Sequence, residues 1–190
     1  NTFNSDNASI AAGDIDNGST DNCSIASLSL DNSSFDCSEV GANAVQLTVT
    51  DANSNFSTCS ATVTVLDTIS PTAVCQNITV SLDGTGNVSI TANDVDGGST
   101  DACGVTSLDI DVDSFTCADL GSNDVVLTVT DNNGNTATCT ASVTVEDNEV
   151  PFITCVADPT VTINQSNNTY LVSGTEFDPT ATDYCMASLS

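Results

Sequence analysis

The groups in this chain that can do chemistry are concentrated in two short stretches, DIDNGSTDNCS at residues 14–24 and DVDGGSTDACG at residues 94–104. Each sets three aspartates and a cysteine among small polar residues. Carboxylates crowded in this way repel one another unless a cation sits among them. The chain supplies none: it has 26 acidic residues, no Lys, no Arg, no His and a net charge of −26. Ca²⁺, which takes about six to eight oxygens from Asp, Asn and backbone carbonyls, suits this inventory. The plainer use of Asp in such a loop is as a solvated turn residue.

The missing side chains exclude much else. Nucleic acid is excluded as a partner, because its phosphates need Lys or Arg. A Ser-His-Asp triad, a Cys-His pair and a Schiff-base lysine cannot be assembled. Carboxylate pairs could serve a glycosidase, but nothing else marks a substrate cleft, so no enzyme is expected. No apolar run approaches the ~20 residues of a membrane span, and this segment is expected not to insert into one. No signal-peptide pattern follows Asn1, so an interior or processed piece of a longer protein is expected.

The cysteines give the organisation. They stand at 23, 37, 59 and 75, then at 103, 117, 139 and 155, each pair 80 positions apart. Residues 1–70 laid on 81–150 without a gap match at 34 of 70 positions. Cys185 corresponds to Cys103 with two residues inserted. The chain therefore reads as a tandem array: repeat 1 at 1–67 without its first strand, repeat 2 complete at 68–147, and repeat 3 truncated at 148–190.

Elements that could position these groups are short strands. Val125, Leu127 and Val129 alternate with Val126, Thr128 and Thr130, and Ala137, Cys139, Ala141, Val143 and Val145 alternate with Thr or Ser. This period of two gives one buried and one wet face. DNNGN between these runs is a hairpin turn, QNITVSL and GNVSITA form another pair, and VTSLDIDV adds a strand with Leu108, Ile110 and Val112 inward. About seven strands with regular turn signals predict an all-β fold of tandem immunoglobulin-like sandwiches of about 80 residues. Asp109, Asp111 and Asp113 read as the wet face of a strand.

Three disulfides are expected on this strand placement: Cys23–Cys37, Cys75–Cys139 and Cys103–Cys117. Cys59, Cys155 and Cys185 then lack partners. Bridges imply an oxidising, extracellular compartment. No CxxC spacing supports zinc.

In such a sandwich the loop at residues 94–104, the turn at residues 131–135 and the linker at residues 67–70 meet at one junction. The expected metal ligands there are Asp67, Asp94, Asp96, Asp101, Asp131 and Asn133. Asp14, Asp16, Asp21 and Asp51 repeat the arrangement in the first copy, and Asp147, Glu176, Asp178 and Asp183 do so in the third. Calcium is the expected cofactor.

The combined pattern PTAVCQNITVSL, VDGGSTDACG, FTC and LTVTDNNGNTATCTASVTVEDN resembles the HYR-like (hyalin-repeat) immunoglobulin-like modules of giant Bacteroidetes surface adhesins, among them gliding-motility adhesins of the SprB type. The resemblance covers all of the second copy and the available parts of the others. It implies an extracellular cell-surface filament exported by type IX secretion. Its partners would be a surface polysaccharide or other adhesive target, reached through the full-length protein, and the cell-surface motility machinery. It also makes Thr68, in the Asp-Thr-Ile of the linker, a possible O-glycan site. The reading is a structural stalk segment with calcium-rigidified junctions. The alternative is an array of glycan- or partner-binding modules on a secreted enzyme, against which stand the absence of Trp and a Tyr content of two.

Overall fold

The Val/Thr alternation is written out as strands in the computed structural model, which describes residues 7–155, 180–183 and 185. A first unit holds β1 (Asn7–Ser9), β2 (Ile25–Leu30), β3 (Ser34–Asp36), β4 (Gly41–Asp51) and β5 (Phe56–Val65). A second holds β6 (Ile78–Ser81), β7 (Asn87–Ser89), β8 (Val105–Ile110), β9 (Ser114–Thr116), β10 (Gly121–Asp131) and β11 (Thr136–Glu146). Beyond it β12 (Phe152–Thr154) pairs with β13 (Thr180–Thr182).

The second unit is a two-sheet sandwich. One sheet has the order β6-β11-β10-β8, with β6 parallel to β11 and the other pairs antiparallel; the facing sheet is β7-β9. The first unit repeats this as β2-β4-β5 facing β1-β3. Val125, Leu127, Val129, Ala141, Val143 and Val145 point inward from β10 and β11 onto Phe115 of β9 and Ile90 beside β7. At about 25 cal/mol per Å² of apolar surface, this layer is the main stabilising term. Phe35, Val45 and Val65 form the corresponding core of the first unit, with Ile69 of the linker packed against it.

Register defines two ends. Asp131 of β10 lies opposite Val105 of β8, whereas Gly121 of β10 lies opposite Val145 of β11. The end bearing Val105, Asp131 and the β10–β11 turn is termed leading, the end bearing Gly121 trailing. Ten steps of about 3.4 Å put these ends roughly 34 Å apart.

Two local expectations change. Val112 does not point inward: β8 ends at Ile110 and Val112 is 38% exposed. The acidic loops also contain single helical turns, α1 (Ala12–Ile15) and α2 (Ala92–Val95). Val95 is fully buried in the core, so the second loop is anchored by an apolar side chain.

Candidate functional site

The aspartates of the 94–104 loop hold its own backbone. The Asp94 carboxylate accepts from the Thr91 N–H and hydroxyl, both at 2.7 Å, and so closes the first turn of α2. Asp96 accepts from the Ser99 N–H at 2.9 Å and hydroxyl at 2.6 Å. Asp101 accepts from the Cys103 N–H at 2.8 Å. The Thr91 hydroxyl holds the Asp94 carboxyl below its ordinary value, and the Ser99 hydroxyl does the same for Asp96 against a smaller opposing effect of burial. In the first copy Asp14 accepts from the Ala11 N–H, Asp16 from the Ser19 N–H, and Asp21 from the N–H groups of Cys23 and Ser24.

The β10–β11 turn is built on Asp131, which is 1% exposed. Its carboxylate accepts from the N–H groups of Asn133 and Asn135, both at 2.8 Å, and from the Asn135 amide at 2.8 Å. Burial opposes its ionisation, but these hydrogen bonds outweigh burial and its pKa falls. Asp51 makes the same bonds to Asn53 and Asn55. Asn133 enters this turn through its backbone N–H.

The linker meets this end of the second unit. The Asn135 amide donates to the Asp67 carbonyl at 3.4 Å, and the Asp67 Oδ1 accepts from the Ile69 N–H at 3.0 Å. Asp67 Oδ2 is buried without a hydrogen-bond partner. Asp67, Asp101 and Cys103 bring one ligand atom each to within 4.8 Å of one another. Asp147, Asp183 and Cys185 form the same group one unit further on. Asp94, Asp96 and Asp131 belong to neither group. The reason lies in the strand path. Thr72 bridges to Thr100, but Asp96 bridges to Cys75, so Asp94 and Asp96 are carried down the sandwich edge, away from the linker. Glu176 and Asp178 lie outside the described residues.

Cysteine pairing follows the same geometry and corrects the expectation. Cys75–Cys139 is formed, with a Cα–Cα distance of 5.8 Å. Cys23–Cys37 and Cys103–Cys117 are not: Cys37 is bonded to Cys103 and Cys117 to Cys185, each with Cα atoms 5.1 Å apart. Cys103 precedes β8 at the leading end, while Cys117 follows β9 at the trailing end. That separation far exceeds the roughly 4.4–6.8 Å a bridge spans. Trailing-end Cys37 of the first unit is instead beside leading-end Cys103 of the second. Cys23, Cys59 and Cys155 are exposed free thiols, so Cys23 and not Cys185 lacks a partner.

The two leading ends differ in the way a covered joint requires. Cys103, Asp101 and Asn135 are part-buried, whereas their equivalents Cys23, Asp21 and Asn55 are exposed. Thr68 of the linker is exposed.

No family model and no curated protein matches the chain. Among solved structures it is similar to protocadherin gammaB7 EC3-6, in a cis-dimer structure, with 17% identity and a TM-score of 0.37 over 74% of this chain and 45% of that one. It is also similar to PcdhgB3 EC1-4, with 15% identity and a TM-score of 0.33 over 74% of this chain and 43% of that one. The chain thus spans under half the length of either.

Proposed function

We propose that this chain is a non-catalytic stalk segment of an extracellular adhesin filament, of the kind its sequence resembles in gliding Bacteroidetes. It comprises successive repeats at 1–67, 68–147 and 148–190, of which the second is complete and the first and third are truncated. The observation that carries the reading is the recurrence of one joint: a linker aspartate, a loop aspartate and a cysteine bridged to the preceding unit, at Asp67, Asp101 and Cys103 and again at Asp147, Asp183 and Cys185. The adhesive target, a surface polysaccharide among the candidates, would then be met by other parts of the full-length protein.

Calcium fits the joint with a smaller ligand set than the sequence suggested. Asp67 Oδ2 lacks any donor, and a buried unpaired carboxylate oxygen costs stability that a cation would recover. Asp67 and Asp101 supply carboxylate oxygens from opposite sides of the joint. Cys103 Sγ is committed to its bridge and is no ligand. Two carboxylates completed by water and carbonyls match the weak extracellular class, with Kd of about 10⁻⁴–10⁻³ M.

Calorimetric titration of the oxidised chain with Ca²⁺ tests the site. Uptake in that range is expected, and Asp67→Asn with Asp101→Asn should remove part of it. Absence of uptake removes the cation from the proposal. Immunogold labelling of intact cells with antibody to this chain tests the stalk. Label along surface filaments is expected, and label confined to the cytosol overturns the reading.

A further inference from the structure

The order of the two inter-unit bridges along the chain has a mechanical consequence. Cys37–Cys103 closes a loop of sequence separation 66, and Cys117–Cys185 one of 68. The loops do not overlap. Only residues 103–117, carrying β8 and β9, lie between them. Tension along the chain therefore reaches Cys37, crosses through sulfur to Cys103, runs through residues 103–117, and crosses again from Cys117 to Cys185. The backbone of residues 38–102 and 118–184 is off that path. So are β10, β11 and β6, whose sheet holds most of the core. Cys75–Cys139 joins one bypassed loop to the other and offers no shorter route.

We propose that the bridges give this chain a mechanical function: a covalent tether that carries tensile load past β4 and β5 of the first unit and past β6, β7, β10 and β11 of the second, and limits extension even if the sandwiches melt. The lengths support this. Residues 103–117 run from the leading to the trailing end of the second unit, roughly 34 Å apart by strand rise. Drawn out at about 3.3–3.6 Å per residue they reach only about 50 Å. The second unit can therefore lengthen by roughly 15 Å before its covalent path is taut. Without bridges, an unfolding repeat of 80 residues would release roughly 280 Å of chain. The function needs no cation and does not depend on the stalk being an adhesin.

The test is single-molecule force spectroscopy of the full oxidised chain, held by its two termini, in chelator so that no cation contributes. Residues 1–37, 103–117 and the last few should be the whole extensible length, on the order of 200 Å. Adding reductant at constant force should release on the order of 450 Å more. Cys37→Ser with Cys103→Ser should lengthen the oxidised chain without reductant. Non-reducing peptide mapping of the same preparation should recover Cys37–Cys103 and Cys117–Cys185. Extension of the oxidised wild-type chain by several hundred ångströms with its thiols still blocked would overturn the proposal, as would mapping that places both Cys103 and Cys117 in a single bridge. Either result leaves the calcium titration free to succeed or fail by itself.

Discussion

At the scale of single residues, the two copies solve one close approach in two ways. Gly104 has φ +96°, and a Cβ there would lie 2.7 Å from the Asn132 amide nitrogen, which donates to the Cys103 carbonyl at 2.7 Å. In the first copy Ser24 takes the same positive-φ position and Ala52 stands opposite it. The smaller residue has changed sides. Gly104→Ala should therefore cost about 2–3 kcal/mol in chemical denaturation, from left-handed strain and the displaced hydrogen bond. Gly104→Ser combined with Asn132→Ala should cost less than the two single changes summed. Additive losses would mean that the sites are independent. Asp131 gives a second prediction. Its folded pKa lies below the ordinary carboxylate value of about 3.9, so its contribution is complete well above that pH. The contribution is lost as pH falls through the unfolded value towards the folded one. Melting temperature should drop on acidification below about pH 4, and Asp131→Asn should flatten that drop. The local use of Asp16, Asp96, Asp51 and Asp131 was legible from the Ser or Asn two to four positions on, whereas Asp94 and Asp14 reach back to Thr91 and Ala11. The sandwich topology already set Asp67 and Asp101 at one junction; the strand path that carries Asp94 and Asp96 away from it was not legible.

At the scale of elements, the sandwich could be read because Val125, Leu127, Val129, Val143 and Val145 recur at every second position, with Thr or Ser at most of the positions between. The two misplaced bridges came from a direction error. A Cys103–Cys117 bridge requires residues 103–117 to form a strand and its return, yet the sequence between Ile110 and Phe115 holds no glycine or Asn-Gly turn. Without a reversal, β8 and β9 run the same way and deliver Cys117 to the far end. α2 was missed because a single turn held by Thr91 and Asp94 is too short to show helical periodicity. The hairpin turns were legible and support a prediction. Gly134 has φ +88°, and its counterpart Ser54 has φ +69°. A left-handed serine is strained relative to glycine there, so Ser54→Gly should stabilise the first unit by about 0.5–1 kcal/mol and Gly134→Ser should destabilise the second by a similar amount. Paired thermal melts check both, and the signs must be opposite.

At the scale of the whole molecule, each joint is held by more than its linker. The chain passes from the first unit to the second through residues 67–70, and a second covalent link crosses at Cys37–Cys103. A body tethered at one point swivels, whereas one tethered at two separated points can only hinge about the line joining them. The cation proposed at Asp67 and Asp101 acts against that one remaining freedom. Chelator alone should therefore change the maximum dimension of the oxidised chain only slightly in small-angle scattering. Cys37→Ser with Cys103→Ser keeps Cys75–Cys139 inside the second sandwich, so that unit stays internally bridged while the joint loses its second tether. In that variant, millimolar calcium and chelator should give clearly different scattering profiles, because the cation then has a swivel to restrain. A large chelator effect in the wild-type chain would make the cation and not the bridge the main source of stiffness. No effect in the variant would leave stiffness to the packing of Ile69 and the linker against the first core.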